Sequence, residues 1–169
     1  MTGLYDDPSL YDILQTPGTA AEVDVLQKVA AAHGAPRGLW YEPACGTGRY
    51  LRVLLGRGHR VGGYDLDPGM VAYAARRLGR RVRVARMTDP VVPGMRPGSV
   101  AVAFNPVNTI RLLPSDAAMR THFAQVARLL APGGLYLVGI SLTDYEGEQP
   151  SEDLWQATRG RCRVSQLVN

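Results

Sequence analysis

The segment from Trp40 to Leu55 constrains the fold of this 169-residue chain more than any other segment. An apolar approach ends in the acid Glu42, a turn of small residues with Gly46 and Gly48 follows, and a second apolar run comes after it. This order predicts a strand, a tight loop and a helix. Because the two glycines carry no Cβ, a ligand can lie against bare backbone. The amides at the start of the helix then face that ligand.

The next apolar segment, residues 60–64, predicts a second strand, and it ends in Asp65. An acid at the tip of the second strand is placed to accept hydrogen bonds from a ribose diol. Dinucleotide-binding folds carry a third glycine in the pattern G-x-G-x-x-G, where this chain has Leu51. The sequence therefore predicts a nucleoside-binding α/β crevice and disfavours a nicotinamide-dependent oxidoreductase.

Strand and helix patterns alternate along most of the chain. Further strands are predicted over residues 81–86, 99–104 and 135–142. A capping box from Thr19 to Glu22 predicts the start of the first long helix, and Asp67-Pro68 and Ser115 predict two later helix starts. Strands that alternate with helices at this spacing predict an α/β fold, a doubly wound, Rossmann-like parallel sheet with helices on both faces.

Composition indicates one globular domain outside the membrane. Apolar residues make up 46% of the chain and charged residues 20%, and no apolar run is long enough to span a bilayer. Two cysteines are too few for a disulfide framework, which predicts a cytoplasmic location with reduced thiols. The net charge of +4 would be compatible with a nucleic-acid partner. The arginines are spread along the chain, however, and the one cluster, residues 76–83, surrounds a helix C-terminus that favours cations.

Three segments carry a resemblance to a known family. The stretch Glu42-Pro43-Ala44-Cys45-Gly46-Thr47-Gly48-Arg49 resembles motif I of the class I S-adenosylmethionine-dependent methyltransferases. Residues 62–70 resemble their motif II, and residues 129–135 their L-x-P-G-G signature. The resemblance covers residues 11–141. It implies S-adenosyl-L-methionine as cofactor and methyl transfer to a small-molecule acceptor by in-line displacement. Such chemistry mainly requires that donor and acceptor are held in line and desolvated.

The resemblance implies cofactor-binding roles for ten residues. Glu42 is expected to orient the glycine loop and meet the cofactor's ammonium group, and Asp65 to bind the ribose. Leu66 is expected beside the adenine, with packing in the core as the alternative. The complete set is Tyr11, Glu42, Ala44, Gly46, Gly48, Asp65, Leu66, Met70, Met87 and Asn105. No catalytic residue is assigned, and no spacing of histidine, cysteine and carboxylate residues predicts a metal site.

Two segments depart from the family pattern. An acid that accepts the adenine amino group usually precedes Met87, but this chain has Arg86 there. Asp89 can substitute for that acid, or the backbone of Met87 can serve alone. At the tip of the fourth strand, Asn105-Pro106 matches half of the N-P-P-Tyr pattern of enzymes that methylate planar amines. A turn that lines the cofactor pocket is the preferred interpretation there. His122 is predicted to be a histidine at a helix edge.

The ends of the chain suggest a domain of three parts. Residues 1–18, with two tyrosines, predict a lid over the pocket, residues 19–143 the cofactor-binding domain, and residues 144–169 the beginning of an acceptor-side region. That last region is predicted to contain an acidic loop, a short helix near Trp155 and one strand over residues 161–168. No residues are then left for a seventh strand. An open fifth strand would favour aggregation. We therefore expect either that the chain is a fragment of a longer protein or that another chain, in a homodimer for example, covers this edge.

Two other functions remain open from the sequence. One is a methyltransferase that acts on nucleic-acid amines, which the positive charge and Asn105-Pro106 suggest. The other is a protein that binds the cofactor without catalysis, which the arginine at position 86 suggests.

Overall fold

Five α-helices and seven β-strands make up the part of the chain that the computed structural model describes, residues 4–89, 92, 94–141 and 153–168. In chain order they are α1 (Pro8–Gln15), α2 (Thr19–Ala32), β1 (Leu39–Pro43), α3 (Arg49–Gly56), β2 (Arg60–Asp65), α4 (Pro68–Leu78), β3 (Val82–Val84), β4 (Val100–Asn105), α5 (Asp116–Leu129), β5 (Leu130–Val138), β6 (Asp153–Arg159) and β7 (Cys162–Val168). Short 3₁₀ turns span Leu4–Asp6, Gly79–Arg81 and Thr109–Leu112.

The first five strands form one parallel sheet in the order β3-β2-β1-β4-β5. The chain runs outward from β1 to β3 and then crosses to β4, so the direction of winding reverses between β1 and β4. In open α/β sheets, ligands bind at this switch point, outside the carboxyl ends of the strands. The predicted fold class, a doubly wound Rossmann-like sheet, is confirmed.

Hydrophobic clusters cover both faces of the sheet, because successive side chains of a strand point to opposite faces. Trp40 of β1 packs in the cluster that joins α2, α3 and α4 to the sheet, together with the fully buried Leu51 and Leu54. Its neighbour Tyr41 packs in the second cluster, with Val126 of α5. All six residues of β4 are buried, as expected of a strand covered on both faces.

All three predicted helix starts are right, but only two of the three predicted caps are. Asp67 accepts a hydrogen bond from the Met70 amide at 2.9 Å, and Ser115 caps α5 through the Ala118 amide at 3.2 Å. The capping box over residues 19–22 is wrong. Gly18 occupies the N-cap of α2 with a left-handed backbone, and the Thr19 hydroxyl donates to the Thr16 carbonyl at 2.7 Å. The Thr19 side chain therefore links α2 to the preceding turn and does not cap the helix.

Two strands and one helix face differ from the prediction. β3 is limited to Val82–Val84, and β5 starts earlier than predicted, at Leu130. The early start is possible because the pairing of β5 with β4 shifts register between Val100 and Val102. On α5, the apolar Phe123 is 44% exposed. Polar His122 and Gln125 lie inside instead.

The C-terminal residues form a hairpin. β6 and β7 pair antiparallel as a separate two-stranded sheet, so Trp155 lies in a strand, and both the predicted short helix and the predicted lack of a seventh strand are wrong. Ala157 of β6 packs against Ile13 and Leu14 of α1, which anchors the hairpin there. Most of the predicted acidic loop lies outside the described residues. Among the described strands β5 is an outer strand of its sheet.

Candidate functional site

A crevice opens at the carboxyl ends of β1, β2 and β4. A smaller part, about 240 Å³, surrounds the loop after β1, and a larger part, about 660 Å³, lies beside the tip of β2. Six residues line both parts, namely Tyr5, Tyr11, Ala44, Gly46, Thr109 and Leu112. The two parts thus share one wall.

The loop after β1, residues 44–48, folds through left-handed backbone. The φ angles of Ala44, Gly46 and Gly48 are +50°, +51° and +71°, a region that glycine occupies at no steric cost and alanine does not. Gly48 has a second reason to be glycine, because a Cβ there would lie 2.5 Å from the Leu78 side chain. This glycine loop is therefore set by backbone conformation and by the close approach of α4.

Glu42 stands at the tip of β1 with no hydrogen-bond partner for its Oε2 atom among the described residues. The residue is only 4% exposed. Burial raises the pKa of its carboxyl well above the usual range, the Asp65 carboxylate raises it further, and Arg49 opposes both. A buried carboxylate that lacks a partner is costly when ionised, and a cation beside it removes that cost. The side chain is suited to receive a cationic group from a ligand.

Asp65 ties the glycine loop to the tip of β2. Its Oδ2 atom accepts a hydrogen bond from the Gly46 amide at 2.7 Å, and its Oδ1 atom accepts one from the Asp67 amide at 3.0 Å. Burial raises the pKa of Asp65, against the effect of these amides. The side chain also lines the larger part of the crevice. Because each carboxylate oxygen has two acceptor sites, a ligand hydroxyl can still bind.

The wall beyond Asp65 contains three more of the predicted residues. Leu66 is 59% exposed at the rim, so the alternative that it packs in the core is wrong. Met70 is buried below it, and Met87 lies on the far side. All three line the larger part of the crevice.

The segment after β3 is anchored from α5. The Asp89 carboxylate accepts from the amide of Arg86 at 2.8 Å and so closes its own turn. His122 contacts the Met87 carbonyl through Nδ1 at 3.2 Å, and Gln125 donates to the Asp89 carbonyl. The prediction of His122 at a helix edge is wrong, since the residue is fully buried. The available signal was two polar residues, at positions 122 and 125, on the same side of a helix as Val126 and Leu129.

Asn105, at the tip of β4, points into the protein interior. The residue is buried, its Nδ2 donates to the Pro43 carbonyl at 2.6 Å, and its Oδ1 accepts from the Tyr136 hydroxyl. The residues after it, 106–108, line the smaller part of the crevice. Asn105 therefore supports the wall from behind.

α1 and the C-terminal hairpin form the outer wall. Tyr11 covers the glycine loop, its ring lying 3.6 Å from the point where a Gly46 Cβ would be, and it packs against Tyr5. Desolvation raises the pKa of Tyr11 to about 12. Trp155 of β6 lines the smaller part of the crevice. Its contribution was missed because the alternating pattern after residue 152 is weak.

Asp12 fixes this outer wall to the rest of the molecule. It is fully buried and pairs with Arg52 of α3 at 2.5 Å and with Arg159 of β6 at 2.9 Å. The Tyr73 hydroxyl of α4 donates to it at 3.0 Å. One carboxylate thus joins α1, α3, α4 and the hairpin.

Other chemistry is limited among the described residues. Burial raises the pKa of the Cys45 thiol well above its usual range, so it is not a reactive thiolate. In the described ranges no group of three histidine, cysteine or carboxylate residues is placed to hold a metal ion. None of the helices described is both long enough and apolar enough to cross a bilayer.

The solved structures that share this fold include the following three. DesVI from Streptomyces venezuelae superposes with a TM-score of 0.78 at 18% identity, over 99% of this chain and 70% of DesVI. The sugar N-methyltransferase KedS8 from Streptoalloteichus sp. gives 0.69 at 19% identity, over 95% and 76% of the two chains. CalS10, an amino pentose methyltransferase from Micromonospora echinaspora solved with S-adenosylmethionine, gives 0.69 at 20% identity, over 99% and 81%.

The chain was also compared with curated proteins and with models of sequence families. No curated protein matches the chain at a significant level of similarity. The model of the methyltransferase domain family matches residues 41–134, more than half of the 169-residue chain. These residues run from β1 through the L-x-P-G-G segment and include the glycine loop and Asp65. The chain belongs to the methyltransferase domain family, and it is a class I S-adenosylmethionine-dependent methyltransferase.

Proposed function

We propose that S-adenosylmethionine lies along the crevice with its amino-acid end at the glycine loop and its adenosine at the tip of β2. The unpartnered Oε2 atom of buried Glu42 supports this, since it fits the cofactor's ammonium group. When bound, the cofactor supplies an electrophilic methyl group on a sulfonium. Asp65 holds the ribose diol, and Leu66, Met70 and Met87 surround the adenine. Tyr11 covers the cofactor, Ala44, Gly46 and Gly48 leave room for it, and Asn105 acts from behind the wall.

The acceptor in this proposal is an amine on a small molecule. One observation carries the proposal: among the described residues, the smaller part of the crevice contains no histidine, and no carboxylate other than Glu42, that could deprotonate an alcohol. Its titratable residues include Cys45, Tyr11 and Tyr50, whose pKa values burial raises, and Glu42, which the cofactor occupies. An alcohol nucleophile needs a general base, whereas an amine that has lost its proton to water already presents a lone pair.

Two of the similar structures support an amine acceptor, and the contacts of Asn105 argue against a nucleobase. KedS8 is described as a sugar N-methyltransferase and MtfA as a glycopeptide N-methyltransferase. In the N-P-P-Tyr pattern the asparagine holds the planar amine. Here both polar atoms of the Asn105 side chain serve Pro43 and Tyr136, so the residue cannot hold a base without breaking those bonds.

The test is a methyl-transfer assay with matched acceptors. The purified protein receives S-adenosylmethionine and pairs of small molecules that differ only by an amine in place of a hydroxyl, and release of S-adenosylhomocysteine is measured. We expect turnover of amines only, with a rate that rises with pH up to the pKa of the acceptor amine. Methylation of the alcohol partner at a similar rate would contradict the proposal.

Two further arms of the assay separate the alternatives. RNA and DNA oligonucleotides test the nucleic-acid reaction, and binding that falls steeply with salt would favour it. Tight binding of S-adenosylhomocysteine without turnover of any acceptor would favour a protein that binds the cofactor without catalysis.

Two broader expectations belong to the same proposal. A cytoplasmic location fits the absence of a disulfide between Cys45 and Cys162, the first buried and the second exposed. A second copy of the chain is expected to cover the edge of β5 that is outermost among the described strands. Sedimentation analysis of the purified protein tests this expectation.

A further inference from the structure

A buried chain of hydrogen bonds crosses the molecule behind the crevice. It starts at the Pro43 carbonyl, at the tip of β1, and passes through the side chains of Asn105, Tyr136 and His122. It ends at the Met87 carbonyl on the adenine side. The His122 Nε2 atom lies 2.7 Å from the Tyr136 hydroxyl, and its Nδ1 atom lies 3.2 Å from the Met87 carbonyl. The chain thus links both walls of the crevice.

The protons in this chain can be counted. Both ends are carbonyl oxygens, which only accept. Asn105 must therefore turn its Nδ2 to Pro43 and its Oδ1 to Tyr136. Tyr136 has one proton, which goes to Asn105, so its oxygen can only accept from His122. His122 must then donate from both ring nitrogens, and only the imidazolium form does so.

Neutral His122 leaves one contact without a proton. If the proton is on Nδ1, Met87 is held, but Tyr136 must choose between Asn105 and His122. If it is on Nε2, the Tyr136 and Asn105 contacts are complete, but the Met87 carbonyl loses its donor. The neutral ring therefore leaves one contact of the chain unmade, either the link between His122 and Tyr136 or the bond to Met87.

The surroundings of His122 favour the neutral form. Desolvation lowers its pKa, and the Met87 carbonyl opposes that effect. The groups that face the ring are the Tyr136 hydroxyl from β5, the Met87 carbonyl from the segment after β3, and the Phe123 ring from α5 itself. No charged side chain of the described residues contributes to the shift. The hydrogen bonds thus favour the imidazolium form of His122, whereas burial favours the neutral form.

We propose that His122 is a positioning residue whose uptake of a proton accompanies cofactor binding, because only the doubly protonated ring makes every contact of the chain and so ties Met87 to the tip of β4. A ligand that touches both walls favours that form. Its affinity is then greatest at low pH, declines as His122 loses its proton, and levels off once the ring is neutral in both states. This role of His122 rests on the proposed placement of the cofactor along both walls and is independent of the nature of the acceptor.

The test uses S-adenosylhomocysteine and the full chain. Calorimetry in buffers of different ionisation enthalpy counts the protons taken up on binding, and ring ¹⁵N chemical shifts report the protonation of each histidine. We expect binding to raise the pKa of the His122 ring. A rise of one pKa unit weakens the affinity about tenfold between low and high pH. Glu42 contributes with the opposite sign, because a carboxyl that meets an ammonium group releases its proton.

Three variants isolate the contribution of His122. Tyr136→Phe keeps the ring contacts with His122 and Phe123 but removes the hydroxyl, so the neutral Nδ1–H ring suffices and the proton uptake assigned to His122 should vanish. His122→Gln should abolish it as well. His33→Gln, at an exposed position after α2, is the matched control and should leave it unchanged.

Several results would overturn the proposal. One is a proton count in Tyr136→Phe equal to that of the wild type. Another is a His122 ring that stays neutral in the complex at every pH at which the protein is folded. If His122→Gln fails to fold, the Tyr136→Phe variant and the wild-type spectra still decide. Failure to bind S-adenosylhomocysteine at any pH would also reject it.

Discussion

Asp12 and Glu42 are both buried carboxylates, but their surroundings are opposite. Asp12 has two arginines and a tyrosine around it, each from a different element. Glu42 has an oxygen without a partner among the described residues, and it faces the crevice. A buried charge that is already paired has its desolvation cost offset by its partners, while one that is left unpaired costs stability until a ligand compensates it. The difference separates a structural acid from a binding acid.

The two carboxylates should give stability opposite dependences on pH. Burial would raise the pKa of Asp12, but hydrogen bonds from Arg52 and Arg159 lower it overall. The stability it contributes is present above the pKa of an unfolded aspartate and is lost as pH falls through the depressed value. The pKa of Glu42 is raised. Its contribution is full below the pKa of an unfolded glutamate and is lost as pH rises through the folded value.

The largest expected effect comes from Asp12→Asn. Removing one partner of a buried ion pair leaves the arginines uncompensated, which costs about 3–5 kcal/mol. Chemical denaturation at pH 7 should measure this loss in the free energy of unfolding. The matched control is Asp24→Asn, which removes an exposed pair with Arg57 and should cost no more than about 1 kcal/mol. Equal losses of unfolding free energy in the two variants would show that the buried pairs of Asp12 contribute no more than an exposed ion pair.

A smaller effect of opposite sign is expected from Glu42→Gln. The amide avoids the cost of a buried charge, so the ligand-free protein should gain about 1–3 kcal/mol in its free energy of unfolding at pH 8. Its affinity for S-adenosylhomocysteine should fall about 10- to 100-fold, the size of one charged hydrogen bond. Denaturation with and without the ligand measures both changes. A variant that is less stable without ligand would contradict the assignment of Glu42 as a binding acid.

The smallest expected effect concerns the loop that Glu42 precedes. Ala44 has a φ of +50°, where an alanine is strained by about 1–2 kcal/mol relative to ordinary backbone. Ala44→Gly relieves this strain but gives the unfolded chain more freedom. We therefore expect a change within about 1 kcal/mol, with the cofactor affinity nearly unchanged. Thermal unfolding and calorimetry check the two values, and a loss of binding would mean that the Ala44 methyl group contacts the cofactor.

Local sequence patterns predicted a binding role for Glu42, whereas Asp12 was predicted only as part of a longer segment. Glu42 and Asp65 follow apolar strands directly, and strand tips are where α/β folds bind ligands. Tyr11 was expected to bind the cofactor by resemblance, and Asp12 lies in the predicted lid of residues 1–18, but nothing near Asp12 in the sequence indicates Arg159. That partner is 147 residues away, and pairing over such a distance depends on how the elements pack.

The buried network of α5 was missed for a related reason. His122 and Gln125 break an apolar face, and polar residues there suggest an exposed side. Their partners come from other elements, Met87 and Asp89 from the segment after β3 and Tyr136 from β5. Strand periodicity and glycines carry no information on such pairs. The C-terminal hairpin was misjudged because seven-residue strands with mixed polarity can also be read as loop and helix.

The contact between Arg159 and Asp12 also sets an order of events in folding. It closes a chain segment of 147 residues, and the entropy of closing so long a loop must be overcome before the contact contributes. The parallel sheet and α3, which carry the glycine loop, do not need the hairpin in order to form. We expect refolding from denaturant to rebuild the sheet first and to dock the hairpin with Trp155 in a slower step, so that the outer wall of the crevice is the last part of the molecule to mature.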